Sequence, residues 1–165
     1  MTRVLGRRLT SPKLPSWPMG CGVDVVELDR FHRAIRRGGA AFLRRIFTER
    51  EQQYCRQHRD RVLRLAARFA AKEAVIKAMG QIDPNRVIGF KQIEVCNDTV
   101  GRPYVTLHDR ASSPLLVSVS LSHAHRVAVA SAVVIRDGAS LTTRSRSASR
   151  RRRVGRATRR IGTRR

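Results

Sequence analysis

Hydrophobic positions recur with helical spacing in the middle of the chain. Val62, Leu65, Ala66, Phe69, Ile76 and Met79 fall on roughly one face of a helix. The stretch is rich in Ala, Leu, Lys and Arg, which favour helix, and contains no Pro. A long central helix is therefore predicted to begin near Arg61 and to stop at Gly80. Glu73 breaks the pattern, because it lies four residues after Phe69 and three before Ile76 and so points with the apolar stripe. An acid facing a core is costly unless it is paired or holds a metal. Lys77, one turn on, would pair with Glu73 at i,i+4; a cation ligand is the other reading.

Upstream, residues 20–27 read as a first strand, with Gly20 and Gly22 permitting close backbone approach. Asp24 sits between Val23 and Val25, in a setting where aspartate is depleted. It either marks the strand end or serves a cation such as Mg²⁺, which often takes only one or two protein carboxylates. Residues 29–37 form a short amphipathic helix, with Asp29 at its start and Gly38-Gly39 at its end. Phe31, Ala34 and Ile35 make its apolar face; Arg30, Arg33 and Arg37 make the other. Phe42, Leu43 and Ile46 add a further turn or two. Thr48-Glu49-Arg50-Glu51 matches a capping box opening a helix that runs to about Gln57.

Beyond Gly80 the period shifts from helical to alternating. A loop over 81–89 leads to a strand at 91–96, a turn at 97–101 and a returning strand at 103–107. After a break at 111–114, Leu116 to Ser122 alternates apolar residues with Ser, and His123 follows at the strand exit. Residues 126–135 form a last strand. A strand, then helices, then a run of antiparallel strands is the α+β class.

Charge then divides the chain. The formal net charge is +23 over 165 residues, and most of the excess lies at the two ends. Residues 1–18 carry four basic residues, no acids and three prolines, and read as a disordered extension; Met19, directly before the first strand, reads as an alternative start. Residues 136–165 set twelve Arg against Asp137 in an Arg/Ser-rich, low-complexity run that is predicted to be disordered. Such a tail binds polyanions nonspecifically and with strong salt dependence; a read-through or frameshifted end would have the same composition. Residues 19–135 remain as one domain, long enough for a core. Within it, residues 29–68 hold twelve Arg and four acids, which is either a solvated face or a docking surface for an acidic partner.

Cys21, Cys55 and Cys96 are widely spaced with no C-x-x-C, which fits a reducing, cytoplasmic setting and argues against a disulfide scaffold or a zinc site. No apolar run reaches membrane-spanning length, and no Gly-rich phosphate loop is present. His123 is a turn residue or a ligand-facing group. Charge alone suggests a nucleic-acid- or ribosome-binding protein, but the core has few aromatics and no basic-aromatic RNA motif.

Four segments together carry a resemblance: Gly22-Val23-Asp24-Val25-Val26-Glu27-Leu28-Asp29-Arg30, Phe47-Thr48-Glu49-Arg50-Glu51, Arg68-Phe69-Ala70-Ala71-Lys72-Glu73-Ala74-Val75-Ile76-Lys77-Ala78, and Ser118-Val119-Ser120-Leu121-Ser122-His123. Over residues 19–135 the chain resembles the holo-acyl-carrier-protein synthases, the small trimeric group of 4′-phosphopantetheinyl transferases. The resemblance implies Mg²⁺-dependent transfer of phosphopantetheine from coenzyme A to a serine of an acyl carrier protein, in support of fatty acid synthesis, with adenosine bisphosphate leaving. It implies Asp24 and Glu73 as Mg²⁺ ligands, Lys77 and Lys72 as neutralisers of phosphate charge, and His123 at the nucleotide end of coenzyme A. Glu73 or a metal-bound water would take the serine proton. Arg30, with Arg33 and Arg37 on the same basic helix, would meet the acidic carrier protein, and sites would lie at interfaces of a homotrimer. The chain departs from the family pattern at Gly80-Gln81-Ile82-Asp83-Pro84, where a second Gly is usual, at the short segment 111–114, and in both tails.

Overall fold

The computed structural model describes residues 19–108 and 115–136; the expectations for residues 1–18, for the break at 111–114 and for the tail beyond Arg136 lie outside those residues, while Arg136, expected in the tail, is the last residue of a strand. The elements are β1 (Met19–Glu27), α1 (Leu28–Ile46), α2 (Glu49–Arg56), α3 (Arg61–Ile82), β2 (Ile93–Asn97), β3 (Pro103–Leu107), β4 (Leu115–Ala124) and β5 (Val127–Arg136). The α+β class expected from the sequence is the one observed.

The first strand joins the last. β1 pairs antiparallel with β5, which pairs with β4, while β2 and β3 form a separate hairpin. In the three-stranded sheet Gly22 stands opposite Ala132 and Asp24 opposite Ala130. Ala128, Ala130, Ala132 and Val134, every second residue of β5, are buried against α3. The helix answers with Ala66, Ala70, Ala71, Ala74 and Ala78, all fully buried. Small residues on both surfaces bring helix and sheet close together. The approach is tightest at β1, where a Cβ on Gly20 would lie 2.0 Å from the Ala78 carbonyl oxygen and one on Gly22 would lie 2.1 Å from that of Ala74.

A buried charge pair holds the other side of α3. Lys72 is 0% exposed, and its ammonium donates to the Glu51 carboxylate at 2.7 Å and to the carbonyls of Ile46 and Phe90 at 2.9 Å each. Glu51 accepts in turn from the backbone N–H of Thr48 at 2.8 Å, completing the expected capping box, and from that of Val95 at 3.0 Å. One ion pair thus joins the end of α1, the start of α2, α3 and β2. The expectation that Lys72 meets phosphate is corrected here. All three of its donors are engaged inside the core, and it lies seven residues from both Leu65 and Met79, on the same buried stripe.

Other boundaries shift for local reasons. The predicted helix at 29–37 and the turns at 42–46 are one element, α1, broken at Gly39, whose φ of 54° suits glycine. α3 runs through Gly80 to Ile82 and stops at Asp83, directly before Pro84, which disfavours helical geometry in the residue preceding it. The strand predicted at 91–96 starts at Ile93, because residues Phe90–Gln92 form a 3-10 turn in which Gln92 bonds back to the Gly89 N–H at 2.8 Å. His123 lies within β4 rather than beyond it.

Gly22→Ala is expected to destabilise the domain by about 2–3 kcal/mol through overpacking, measured as a fall in the urea midpoint with an unchanged m-value. Lys72→Met should cost about 3 kcal/mol because it strands the buried Glu51 carboxylate. Adding Glu51→Gln to Lys72→Met should return part of that loss in the same urea titration.

Candidate active site

α3 presents Glu73, Lys77 and Gln81 in a row, each one turn beyond the last, toward the free edge of β1. Asp24 projects from the β1 face that lies on α3, the face it shares with Gly20, Gly22 and Val26. The close glycine contacts therefore bring a strand carboxylate down onto a helix that carries its own.

The Lys77 ammonium donates to Asp24 Oδ1 at 2.7 Å and to the Val23 carbonyl at 3.0 Å. The i,i+4 ion pair considered between Glu73 and Lys77 is thus not the one formed. Asp24 outcompetes Glu73 for the ammonium, and the contact raises the Lys77 pKa. Glu73 makes no hydrogen bond or ion pair among the described residues. Burial, and then the neighbouring Asp24 carboxylate, push its pKa upward, against the pull of Lys77.

Both carboxylates open into a cleft of about 460 Å³. Arg30 and Glu27 stand on its polar side, and Phe31, Phe42 and Phe69 line an apolar wall. Phe31 packs against Phe42 and Phe69 with ring centroids 6.1 and 5.5 Å apart, and Phe69 stacks on Phe90 at 5.4 Å. Sequence reasoning placed Phe31, Phe42 and Phe69 on apolar faces without recognising that they form one wall. Only the topology, which folds α1 back over α3, brings them together.

Among the described residues no three of His, Cys, Asp or Glu gather closely enough to hold an ion by themselves. Two carboxylates lining one cleft, one of them without a hydrogen-bond partner among the described residues, nevertheless form a hard oxygen donor set. That suits Mg²⁺, which commonly keeps water and substrate phosphate in its remaining positions. Lys77 stands beside the pair as a half-exposed cation.

His123 is not part of this cleft. It is exposed on β4, opposite Ala128 of β5, which is itself opposite Val26 of β1. Two strand spacings, about 10 Å, separate it from the β1 row. Arg33 and Arg37 lie exposed on α1 beyond Arg30. No helix among the described residues is long and apolar enough to cross a membrane.

The fold occurs in known proteins. A family model described as the 4′-phosphopantetheinyl transferase superfamily matches residues 20–130. The holo-[acyl-carrier-protein] synthase of Protochlamydia amoebophila is 42% identical over 119 residues, covering 70% of this chain and 96% of the relative. That of Chlorobium phaeovibrioides is 43% identical over 118 residues, covering 70% and 94%. The solved complex of an ACPS with CoA from Chronobacterium ammoniagenes superimposes with a TM-score of 0.64 at 30% identity, over 72% of this chain and 97% of that one. The fold, the matched length and these identities lead to one assignment: the chain belongs to the holo-acyl-carrier-protein synthases, enzymes of the 4′-phosphopantetheinyl transferase superfamily.

Proposed function

We propose that this chain transfers the 4′-phosphopantetheine group of coenzyme A to a serine hydroxyl of an acyl carrier protein, with Mg²⁺, in the cytoplasm and in support of fatty acid synthesis. The observation that carries the reading is the Asp24–Glu73 carboxylate pair facing one cleft with Lys77 beside it. The serine oxygen forms a bond to the phosphorus that bears pantetheine. The bond from that phosphorus to the bridging oxygen breaks, adenosine 3′,5′-bisphosphate leaves, and the hydroxyl proton passes to a base.

Asp24 and Glu73 would hold the Mg²⁺, which when bound neutralises pyrophosphate charge. Lys77 is free to swing from Asp24 toward phosphate, since it is half exposed and anchored only at its tip. Positioning and charge neutralisation are most of what phosphoryl transfer asks of a protein. Glu73 or a water molecule in the cleft would take the serine proton. The apolar wall offers the pantetheine arm a surface to lie on, and Arg30, Arg33 and Arg37 offer an acidic carrier protein a row of cations on exposed α1.

A homotrimer completes the reading. The sheet face turned away from α3 exposes Val23, Val25, Leu116, Val133 and Ile135, an unusual apolar surface for a single copy. His123, remote from Asp24 within one chain, would then meet the nucleotide end of coenzyme A in the site of a neighbour.

Asp24→Asn and Glu73→Gln should each lower the transfer rate by about 100-fold or more at saturating Mg²⁺, a loss of several kcal/mol of transition-state stabilisation. Near-normal rates from both would sink the metal assignment. Reversing Arg33 and Arg37 together to Glu should raise the KM for carrier protein roughly fivefold or more while leaving kcat nearly unchanged, and should flatten the salt dependence of kcat/KM.

A further inference from the structure

The contact between β1 and α3 poses a question that the carboxylates alone do not answer. The β1–β5 ladder fixes which residue faces which strand partner. Around Gly20 and Gly22 the surface by which β1 rests on the helix is glycine against alanine backbone, and the one apolar side chain that β1 sets on that face, Val26, lies at the far end of the strand from Cys21. Two polar side chains do reach the free edge of β1. Lys77 donates to the Val23 carbonyl, and Gln81 binds both backbone groups of Cys21: its Oε1 accepts from the Cys21 N–H at 3.1 Å, and its Nε2 donates to the Cys21 carbonyl at 2.6 Å. Gln81 thus pairs with the edge as another strand would, at a single residue.

The geometry of the two elements matches over this span. Three residues of strand from Cys21 to Asp24 cover about 10 Å, and eight residues of helix from Glu73 to Gln81 cover about 12 Å. Fixing Cys21 at Gln81 therefore fixes Asp24 beside Glu73. Lys77 cannot do this alone, because its ammonium is shared with Asp24 and is drawn off when that carboxylate or a phosphate takes another partner.

We propose that Gln81 is a positioning residue: by holding both backbone groups of Cys21, it sets where β1 lies along α3 and so keeps Asp24 against Glu73 when a divalent cation occupies the pair. This rests on the reading of Asp24 and Glu73 as the cation-holding carboxylates. Gln81 lies in the last turn of α3.

The test uses the full chain carrying Gln81→Met, which keeps the bulk and removes the amide, with Gln81→Ala as a second variant. Gln81 is exposed, so both should fold. Mn²⁺ serves as the probe, with binding followed by loss of the free-ion electron paramagnetic resonance signal. Both variants should bind Mn²⁺ about fivefold more weakly. The Mg²⁺ concentration giving half-maximal transfer should rise by the same factor, while kcat at saturating Mg²⁺ returns close to that of the unaltered chain. The Cys21 amide should also exchange its hydrogen faster. Unchanged Mn²⁺ affinity and Mg²⁺ requirement, or a loss of kcat that Mg²⁺ does not restore, would overturn the proposal. Asp24→Asn in the same titration separates the two levels: if it binds Mn²⁺ as the unaltered chain does, the cation reading itself has failed.

Discussion

Everything at the site depends on how closely β1 lies on the backbone of α3. Gly20 and Gly22 lie so close to the carbonyls of Ala78 and Ala74 that no Cβ would fit between them. Because side chains alternate along a strand, the residue two beyond Gly22 must face the same helix, and that residue is Asp24. The fold accepts an aspartate in a strand because the packing that buries its neighbours leaves it at the cleft, with Lys77 as its ion partner. Slipping β1 by one residue would turn Asp24 to the outer face and put Val23 or Val25 against α3, so register and site are one constraint.

The buried Lys72–Glu51 pair plays the complementary part on the far side of the helix. Its hydrogen bonds reach the end of α1, the start of α2, the turn before β2 and Val95 in the middle of β2. From β2 the polar chain continues outward: Thr48 Oγ1 donates to Glu94 at 2.8 Å, and Glu94 meets His108 beyond the end of β3 at 2.9 Å. α3 is therefore gripped on one face by apolar contact with the sheet and on the other by a satisfied polar network. A helix buried around most of its girth supplies a rigid platform for Glu73 and Lys77.

Much of this was legible in the residues. Alternation marked β2 and β4, the capping box marked the start of α2, and Asp24 among valines and Glu73 on an apolar stripe each stood out, although only the family resemblance joined them as a pair. Three features were harder to read. Lys72 and Lys77 look alike in sequence, yet their environments differ because one sits on the Leu65–Met79 stripe and the other five residues on; helical angle, rather than residue type, separates them. Gly80 reads as a stop, but the helix continues because nothing at that position demands a positive φ, and Pro84 supplies the termination. The pairing of β1 with β5, and the aromatic wall of Phe31, Phe42 and Phe69, depend on contacts between distant segments that local periodicity does not encode.

The most direct measurement is the intact mass of an apo acyl carrier protein after incubation with this chain, coenzyme A and Mg²⁺, with and without a chelator. The account predicts a gain of one phosphopantetheine group per carrier protein that chelation abolishes and restored Mg²⁺ recovers. A folded preparation that adds nothing, or adds the group equally well in chelator, would contradict the claim that the strand–helix contact exists to hold a cation between Asp24 and Glu73.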